Sequence, residues 1–513
     1  MRTGACDTLR DLYLRSCRWS GAQDLFADER ERASGTEALE RSLRLARGLQ
    51  ALGVARGEVV AFLSRASTRH ALAWFAGIVG GMVVCNLHVR ETPQRIGEAL
   101  AWLGATALLH DAELEDLARE ALARSGVRCT RVSLGAPGSA DACYDELVTA
   151  NEPLAAASAA PAADELAAIV LSSGSTGRPK GILHTQRTLL EAAKGGQYAF
   201  GGVGRRDATL LFMQPSFAAW AIVMLPFVGA GAKTCFGAQF TPVDFLEAVA
   251  RERITLGPLV PTMWRMVLDE DLSRHDLSSL RIVTIAGEPP AARDIARLHA
   301  HVCPRIASLY LAGEGFTASA VVAFTEDLLR EGKAASTGRP APGVDVKIID
   351  PMGGFDDELP PGEVGEIALS GPSLAVGYWK DPELTRARFR ERWWRSGDLG
   401  RIDSDGDLWV VGRIDNLINS GGIKVSGEEV ERALLSHPAV AQCAVVGAPD
   451  ATFGERVVAY VVARGAPPSE TDLDAFCRGP GGLAGFKVPR AYRFVSELPT
   501  GPTGKLYRRA LRG

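Results

Sequence analysis

The stretch LAAIVLSSGSTGRPKG, residues 166–181, joins a short apolar run to a loop of glycines and hydroxyl-bearing residues. Glycine and serine let the backbone fold closely around an anion, so that successive N–H groups and hydroxyls donate to phosphate oxygens. Lys180 adds a positive charge, but Pro179 and Gly181 exclude a Walker A loop, which needs glycine before the lysine and serine or threonine after it. The stretch lacks the length of a flexible linker. It predicts a phosphate-binding loop after a buried strand, with the ligands Ser172, Ser173, Gly174, Ser175, Thr176, Gly177 and Lys180.

Short apolar runs alternate with helical patterns on both sides of this loop. Before it, residues 38–53 have the spacing of an amphipathic helix, and GEVVAFLS at residues 57–64 reads as a strand. After it, apolar runs recur at residues 207–213, 254–260 and 279–287. This alternation predicts a parallel sheet covered by helices on both faces.

Two long uncharged stretches have the length to be considered as membrane spans. Ala71–Leu87 has 17 residues and Ala208–Ala232 has 25. Glycines and an asparagine interrupt the first stretch, and two prolines interrupt the second. Both stretches are predicted to be strand and helix segments of a buried α/β core.

The sequence changes in character near residue 335 and again near residue 412. Short alternating strands with proline and glycine turns predict a β-rich subdomain at about residues 335–411, and DSDGD at residues 403–407 reads as a hairpin turn rather than a calcium loop. From residue 412 onward, helix and strand patterns predict a compact α+β module. We therefore predict an α/β fold with a large multi-sheet N-terminal domain over residues 1–411 and a small α+β C-terminal domain over residues 412–513.

The composition narrows the class of protein. The 513 residues carry 57 Lys+Arg and 61 Asp+Glu, a net charge of −4, which lacks the basic bias of a nucleic-acid binder. A hydrophobic content of 46% excludes a mainly disordered chain. The nine cysteines are scattered without C-x-x-C spacing, which favours buried thiols in a reducing compartment. We expect a cytoplasmic protein with no nucleic-acid partner and no membrane span.

Several further motifs resemble those of one known family. They are Gly287-Glu288-Pro289, Gly365-Glu366-Ile367, Gly377-Tyr378-Trp379, Arg395-Ser396-Gly397-Asp398-Leu399, Gly412-Arg413-Ile414-Asp415 and PTGPTGKLYR at residues 499–508. Together with the phosphate loop they make the chain similar to the ANL superfamily of adenylate-forming enzymes, of the acyl-CoA synthetase type. The resemblance extends over nearly the whole chain and implies an acid–thiol ligase with a mobile C-terminal domain.

The resemblance also implies roles for individual residues. Asp398 is expected to hold the ribose hydroxyls, Arg413 to reach ribose and α-phosphate oxygens, and Lys505 to be the catalytic lysine. Asp415 is the expected hinge between the domains. Further residues are expected beside the nucleotide (Gly287, Glu288 and Pro289) and in the pantetheine tunnel for CoA (Gly421, Gly422 and Lys424).

The chain departs from the family's fifth motif, which usually reads Tyr-Gly-x-Thr-Glu. The stretch Tyr310–Glu314 keeps the tyrosine that packs on adenine and the glutamate that helps hold Mg²⁺, so Glu314 is the expected catalytic and metal-binding carboxylate. Leu311 replaces the glycine, Gly313 replaces the threonine that reaches phosphate, and Ala218 stands where many relatives have histidine. These losses bear on adenylation more than on thioester formation. The predicted acyl pocket is apolar and consists of Phe217, Trp220, Ala286, Leu311 and Ala312.

The implied reaction has two steps. A carboxylic acid and ATP give acyl-AMP and pyrophosphate, and the thiol of CoA then displaces AMP. Rotation at Asp415 removes Lys505 and brings in the tunnel glycines between the steps. The expected cofactors are ATP or a bound acyl-AMP, CoA and Mg²⁺, and the bias towards Ala, Arg and Gly favours a natural-product acid in a GC-rich bacterium.

Four alternatives remain open. The altered fifth motif favours an enzyme specialised for thioesterification, which uses an adenylate made by a partner adenylating enzyme. The others are an adenylation enzyme that loads a carrier protein, a luciferase-like oxygenase and a non-enzymatic ligand-binding relative. The non-enzymatic alternative is disfavoured by the retention of four expected site residues, Lys180, Asp398, Arg413 and Lys505.

Three other features are predicted to be structural. His299 and His301 are two residues apart on a helical pattern, so their side chains face away from each other and do not form a metal site. The stretch Gly229–Gly231 lacks the rest of a dinucleotide fingerprint and predicts a packing turn. His184 follows the phosphate loop and is predicted to be a structural residue.

Overall fold

The structure is a computed structural model that describes residues 6–155, 160–172, 179–500 and 506–512. The chain divides into two compact units. The first comprises Met1–Val346 and Leu369–Trp394, and the second comprises Lys347–Ala368 and Arg395–Gly513. The predicted domain boundary at residues 411 and 412 concerns a hinge and stays a prediction. Six predicted site residues lie outside the described residues: Ser173, Gly174, Ser175, Thr176, Gly177 and Lys505.

Several helices of the first unit begin or end at capping residues that the sequence marks. The helices of this unit are α1 (Leu9–Ser20), α2 (Gly35–Ala51), α3 (Thr68–Gly80), α4 (Pro93–Leu103), α5 (Glu115–Ser125), α6 (Tyr144–Ala150), α7 (Gln186–Ala199), α8 (Ala218–Ala230), α9 (Pro242–Glu252), α10 (Pro261–Leu268), α11 (Ala292–His301), α12 (Thr325–Leu328) and α13 (Pro382–Arg388). Ser34 and Glu37 form a capping box at the start of α2, and Gly81, with a φ of 73°, ends α3. The apolar helix α8 is buried from Trp220 to Val228, as expected for a helix without a polar face.

Within the described residues of this unit, sixteen strands form two sheets. They are β1 (Asp24–Ala27), β2 (Arg32–Ser34), β3 (Val59–Leu63), β4 (Val83–Asn86), β5 (Ala105–His110), β6 (Thr130–Ser133), β7 (Ala142–Cys143), β8 (Leu166–Ser172), β9 (Lys180–Thr185), β10 (Ala208–Leu211), β11 (Lys233–Phe236), β12 (Leu256–Leu259), β13 (Ile282–Ala286), β14 (Ile306–Tyr310), β15 (Val321–Phe324) and β16 (Arg339–Pro340). One sheet has the order β7-β6-β5-β3-β4-β8-β9, and the other has the order β16-β15-β14-β13-β12-β10-β11-β1-β2.

Most neighbouring strands of both sheets run parallel, as the sequence predicts. In the larger sheet, β10, β12, β13 and β14 are parallel neighbours, and among the described strands of the smaller sheet β9 alone runs antiparallel. The carboxyl ends of parallel strands lie at one edge of a sheet, where ligands of α/β proteins usually bind. The segments after β10, β13 and β14 contain Phe217, the Gly287 motif and the fifth motif, and so they meet at that edge.

Five strands between residues 345 and 413 form a third sheet. They are β17 (Asp345–Ile349), β18 (Gly365–Ser370), β19 (Phe389–Arg390), β20 (Trp393–Ile402) and β21 (Leu408–Arg413). The order is β17-β18-β20-β19, and β21 pairs with β20. Asp403 Oδ1 accepts the N–H groups of Asp405 and Asp407, both at 3.0 Å, so the predicted hairpin turn is confirmed.

The remainder of the second unit is an α+β module. Its helices are α14 (Gly427–Leu435) and α15 (Glu470–Arg478), and its strands are β22 (Leu417–Ser420), β23 (Ile423–Ser426), β24 (Val440–Asp450), β25 (Gly454–Ala463) and β26 (Ala491–Phe494). The sheet has the order β23-β22-β25-β24, and β26 pairs with β25. The predicted α/β fold class, with a large multi-sheet part and a small α+β part, is confirmed.

The two uncharged stretches are part of the core. The stretch Ala71–Leu87 falls on α3 and β4, and Ala208–Ala232 falls on β10 and α8. Within the described ranges, no helix combines the length and the apolar character that crossing a membrane requires.

Candidate functional site

The two described ends of the predicted phosphate loop, Ser172 and Lys180, belong to neighbouring antiparallel strands. Ser172 is the last residue of β8, Lys180 is the first residue of β9, and the two are paired across the strands. Residues paired in this way place their side chains on the same face of a sheet. The Ser172 hydroxyl and the Lys180 amine therefore start from adjacent backbone positions.

Glu314, the expected metal-binding carboxylate, is held by an aromatic residue. The Tyr378 hydroxyl donates to Glu314 Oε1 at 3.0 Å, and Trp394 Nε1 donates to the Tyr378 oxygen at 3.3 Å. Lys180 Nζ lies 5.9 Å from the centre of the Tyr378 ring. Burial, and after it the negative charge of Glu314, raises the pKa of Tyr378, so that its hydroxyl stays protonated and donates. Lys180, Tyr378 and Glu314 form one polar cluster.

The fifth motif makes a sharp turn after β14. Tyr310 is the last residue of that strand, and the N–H groups of Gly315 and Phe316 donate to the carbonyl of Ala312 at 3.2 and 2.9 Å. Phe316 is buried and has a φ of 50°, a conformation that is costly for a residue with a side chain. The turn fixes the position of the acidic residue that ends the motif.

His184 ties this turn to the strand that follows the phosphate loop. Its Nε2 lies 2.8 Å from the Gly313 carbonyl oxygen, and its Nδ1 lies 3.2 Å from Thr188 Oγ1. Burial lowers the pKa of His184 to about 4, so the ring is neutral at pH 7; Nε2–H donates to Gly313 and Nδ1 accepts from Thr188. The predicted structural role of His184 is confirmed.

Two positions at which the chain departs from the family pattern are in contact. A Cβ atom at Gly313 would lie 3.5 Å from Ala218 Cβ and 3.0 Å from Ile182 Cδ1. Position 313 is therefore closely packed, and a side chain there would press on Ile182 and touch Ala218.

The Gly287-Glu288-Pro289 motif lies at the same edge of the sheet. Ala286 pairs with Leu309 across the parallel strands β13 and β14, so the segments after both strands emerge side by side. Gly287 has a φ of 95°, which glycine adopts without steric cost. Gly287 and Glu288 are exposed. The motif is therefore accessible beside the fifth motif.

The predicted acyl-pocket residues fall into two groups. Ala286, Leu311 and Ala312 are half-buried at the sheet edge, as is Phe217 at the start of α8. Trp220 is completely buried in the main hydrophobic core, where it packs against aromatic rings. Its indole lies 5.0 Å from the His70 ring, 5.9 Å from Trp74 and 6.2 Å from Phe236. Its contact with an acyl group stays a prediction.

The two expected ribose ligands contact each other in the second unit. Asp398 on β20 is paired with Arg413 on β21, and Arg413 Nη1 lies 3.1 Å from Asp398 Oδ1. The Arg413 side chain is half exposed, at 52%, whereas that of Asp398 is 16% exposed. The ion pair places the Asp398 carboxylate, an acceptor for hydroxyls, beside the planar Arg413 guanidinium, a donor to phosphate oxygens.

Glu366 shapes the strand segment that carries Asp398. Its carboxylate accepts the Gly397 N–H at 3.0 Å and the Arg395 Nε–H at 2.6 Å. Glu366 is buried, with 1% of its surface exposed, so these bonds compensate for the burial of its charge. Glu366 thus holds in place the strand segment that precedes Asp398, the predicted ribose ligand.

The predicted hinge lies in an exposed helical turn. Asp415 is the central residue of the turn Ile414–Asn416 between β21 and β22, and its carbonyl accepts from Arg512 Nη2 at 2.9 Å. A Cβ atom at Gly412, three residues before Asp415, would clash with Ser426 Oγ, so glycine permits close packing before the turn.

The predicted pantetheine-tunnel residues form a tight hairpin. Gly421 and Gly422, with φ values of 62° and 81°, connect β22 to β23, as a two-residue turn of type I′ requires. Lys424 is exposed on β23 opposite Asn419. Beside the predicted Lys505, the described residues Thr500 and Leu506 pair with each other.

His299 and Gly231, which the sequence predicts to be structural, lie at the ends of helices α11 and α8. His299 Nδ1 lies 3.1 Å from the Pro304 carbonyl oxygen, and Gly231, with a φ of 68°, ends α8. Seven of the nine cysteines are buried, and none of the nine is in a disulfide. Burial raises the pKa of Cys17 to about 12, so this thiol does not become a nucleophile at neutral pH.

Comparisons with known proteins agree with this arrangement. Residues 16–379 match the family "AMP-binding enzyme", and residues 429–505 match "AMP-binding enzyme C-terminal domain". The chain belongs to the AMP-binding enzyme family. The prediction of an adenylate-forming, acyl-CoA synthetase type of ligase is therefore confirmed, and with it the enzymatic nature of the chain.

Three similar proteins illustrate the family. A feruloyl-CoA synthase from Amycolatopsis sp is 34% identical over 93% of this chain and 92% of its own length. A fatty acid–[acyl-carrier-protein] ligase, ScoC, from Streptomyces coeruleorubidus is 31% identical over 92% of this chain and 89% of its own length. The structure of the amide bond synthetase McbA from Marinactinospora thermotolerans superposes with a TM-score of 0.87, at 28% identity, over 98% of this chain and 99% of that chain.

Proposed function

We propose that the chain activates a carboxylic acid as its acyl-adenylate and transfers the acyl group to the thiol of CoA. The cluster of Lys180, Tyr378 and Glu314 beside Ser172 is the observation that carries this proposal. It combines a cation for phosphate oxygens with an oriented carboxylate, and both adjoin the predicted phosphate loop.

The residues divide the chemistry between them. Ser172 and Lys180 bind phosphate oxygens and so stabilise the charge that develops as pyrophosphate leaves. Tyr310 stacks on adenine, while Asp398 and Arg413 hold the ribose and the α-phosphate. Lys505 supplies a further cation during adenylation.

Mg²⁺ fits the donor set at Glu314. This ion is usually held by one or two carboxylates together with substrate phosphates, and Glu314 offers a carboxylate that accepts a hydrogen bond from the Tyr378 hydroxyl. When bound, the ion neutralises phosphate charge. Tyr378 keeps the carboxylate in one orientation.

Domain alternation is the second part of the proposal. The exposed turn at Asp415 is the point of rotation, and the Gly421-Gly422 hairpin lines the path of the pantetheine arm. Glycines at this hairpin let a thin chain pass close to the backbone. The nine unpaired cysteines support a reducing, cytoplasmic setting.

The similar proteins differ in the molecule that receives the acyl group. The feruloyl-CoA synthase favours CoA, ScoC makes a carrier protein the main alternative, and McbA adds an amine as a third acceptor. A specialised thioesterification enzyme, supplied by a partner adenylating enzyme, is favoured by one observation. Gly313 offers no hydroxyl to phosphate, and Leu311 adds bulk where the family has glycine.

The test measures the two half-reactions separately. The first assay follows pyrophosphate release across a panel of aryl, cinnamic, fatty and hydroxylated acids. The second assay supplies pre-formed acyl-AMP and uses mass spectrometry to detect acyl transfer to CoA, to a phosphopantetheinyl carrier protein or to a primary amine. Acid-dependent pyrophosphate release with CoA thioester formation is the expected result. Thioester formation without pyrophosphate release supports the thioesterification alternative, and transfer to neither thiol contradicts both. Oxygen uptake would indicate a luciferase-like reaction.

A further inference from the structure

A small cavity adjoins the predicted acyl site in the first unit. Its volume is about 20 Å³, and Asn86, Ser216, Phe217, Ala218 and Phe316 are among the residues that line it. This volume accommodates one group of the size of a water oxygen. Phe217 belongs to the predicted acyl pocket, so the cavity borders on the space expected for the acid.

Two lining residues carry buried oxygens that have no protein partner. Neither Asn86 Oδ1 nor Ser216 Oγ forms a hydrogen bond with another group in the described part of the chain. The Asn86 amide nitrogen donates to the Pro215 carbonyl at 2.9 Å, which fixes Oδ1 as the free acceptor of that amide. A hydroxyl is complementary to this pair, because it can donate to Asn86 and accept from Ser216.

Ala218, a lining residue of the cavity, lies between the cavity and Gly313 of the fifth motif. The Cβ direction of Gly313 points at Ala218 with a separation of 3.5 Å. Both residues are half-buried. A longer side chain at Ala218 would reduce the volume of the cavity.

We propose that the cavity is a subsite for a hydroxyl substituent on the acid, recognised by Asn86 Oδ1 and Ser216 Oγ. The preferred substrates are therefore hydroxylated carboxylic acids. The inference rests on the proposed function, since an acid-activating enzyme presents its acid to this part of the fold. A buried site built to bind a hydroxyl discriminates against the analogue that lacks it, because its polar groups are then left unpaired.

The test compares benzoic acid with its 2-, 3- and 4-hydroxy derivatives, and cinnamic acid with its 2-, 3- and 4-hydroxy derivatives. The kcat/KM for pyrophosphate release and the calorimetric Kd for the acid alone are measured with the unaltered protein and with Ser216→Ala. At least one hydroxylated acid should be favoured tenfold or more over its parent, and Ser216→Ala should lower that ratio about tenfold, the effect of one hydrogen bond. Ser319→Ala is the matched control, because Ser319 Oγ is also buried without a partner but is not among the lining residues.

A second variant keeps the test decisive if Ser216→Ala disturbs folding. Ala218→Val fills the cavity and should also lower the ratio of hydroxylated to parent acid. The absence of a hydroxyl preference in both series, or an equal loss for both acids in Ser216→Ala, overturns the subsite and leaves a structural water as its occupant. If no acid releases pyrophosphate, the proposed function fails, and the calorimetric preference alone decides the subsite.

Discussion

At the scale of single residues, the buried His184 makes the stability of the fold depend on pH. Its pKa falls from 6.5 to about 4 on folding, so the unfolded chain binds more protons than the folded chain between these values. The stability contribution is complete above pH 6.5 and is lost as the pH falls towards 4. His70, whose pKa burial lowers to about 3, acts with the same sign.

We expect His184→Gln to make stability less dependent on pH. One proton corresponds to a slope of about 1.4 kcal/mol per pH unit, and the variant should lose about that much of the slope between pH 6.5 and 4. The glutamine amide can still donate to the Gly313 carbonyl. Urea unfolding followed by tryptophan fluorescence at several pH values measures the change, and an unaltered slope would contradict the assignment.

Tyr378 tests the orientation of Glu314. Tyr378→Phe removes a hydrogen bond to a carboxylate and keeps the ring that packs against Phe389, with 5.5 Å between centroids. A charge-assisted bond contributes about 1.5–3 kcal/mol, so pyrophosphate exchange should fall roughly 10–100-fold and require more Mg²⁺ for half-saturation. Tyr198→Phe, at a tyrosine with 44% of its surface exposed, is the control. An unchanged Mg²⁺ requirement would show that Tyr378 only supports the fold.

At the scale of elements, the fifth motif is the loop whose chemistry departs most from the family. Restoring Leu311→Gly together with Gly313→Thr should raise pyrophosphate exchange by roughly 10–100-fold, because a hydroxyl then reaches phosphate. The new Cβ meets Ile182 Cδ1 at 3.0 Å, so the buried Ile182 side chain must shift by a few tenths of an ångström for this gain to appear. Leu311→Ala with Gly313→Ala, which adds no hydroxyl, is the control. Brisk exchange by the unaltered protein with its own acid would contradict the hypothesis of impaired adenylation.

The elements themselves follow closely from the sequence, whereas the contacts between them do not. Apolar periodicity and capping residues are local signals, so the runs at residues 57–64 and 279–287 were sufficient to predict β3 and β13. The bond between Tyr378 and Glu314 joins residues 64 apart in the chain, and the bond between Glu366 and Gly397 joins residues 31 apart. The motifs containing Tyr378 and Glu366 were recognised, but no local pattern reveals which distant group each side chain binds.

At the scale of the whole molecule, the proposed alternation predicts that adenylation and thioesterification can be damaged independently. Lys505→Ala should slow acyl-AMP synthesis about 10²–10³-fold, by analogy with the loss of an oxyanion-stabilising donor, while thioesterification of supplied acyl-AMP survives. Lys487→Ala is the matched control, because Lys487 is held by Glu429 within the same unit, with 2.6 Å from Nζ to Oε1.

Asp415→Pro should have the reverse effect. Proline fixes φ near −65° and disfavours helical backbone at the preceding residue, Ile414, which here begins the turn Ile414–Asn416. Rotation at the hinge is then hindered, so adenylation proceeds and transfer to CoA is lost, whereas Asp415→Ala leaves the backbone free to rotate. Single-turnover measurements of both half-reactions distinguish these outcomes. Because a hinge and a catalytic cation act on different steps, equal damage to both half-reactions by Lys505→Ala and Asp415→Pro would contradict alternation between two arrangements.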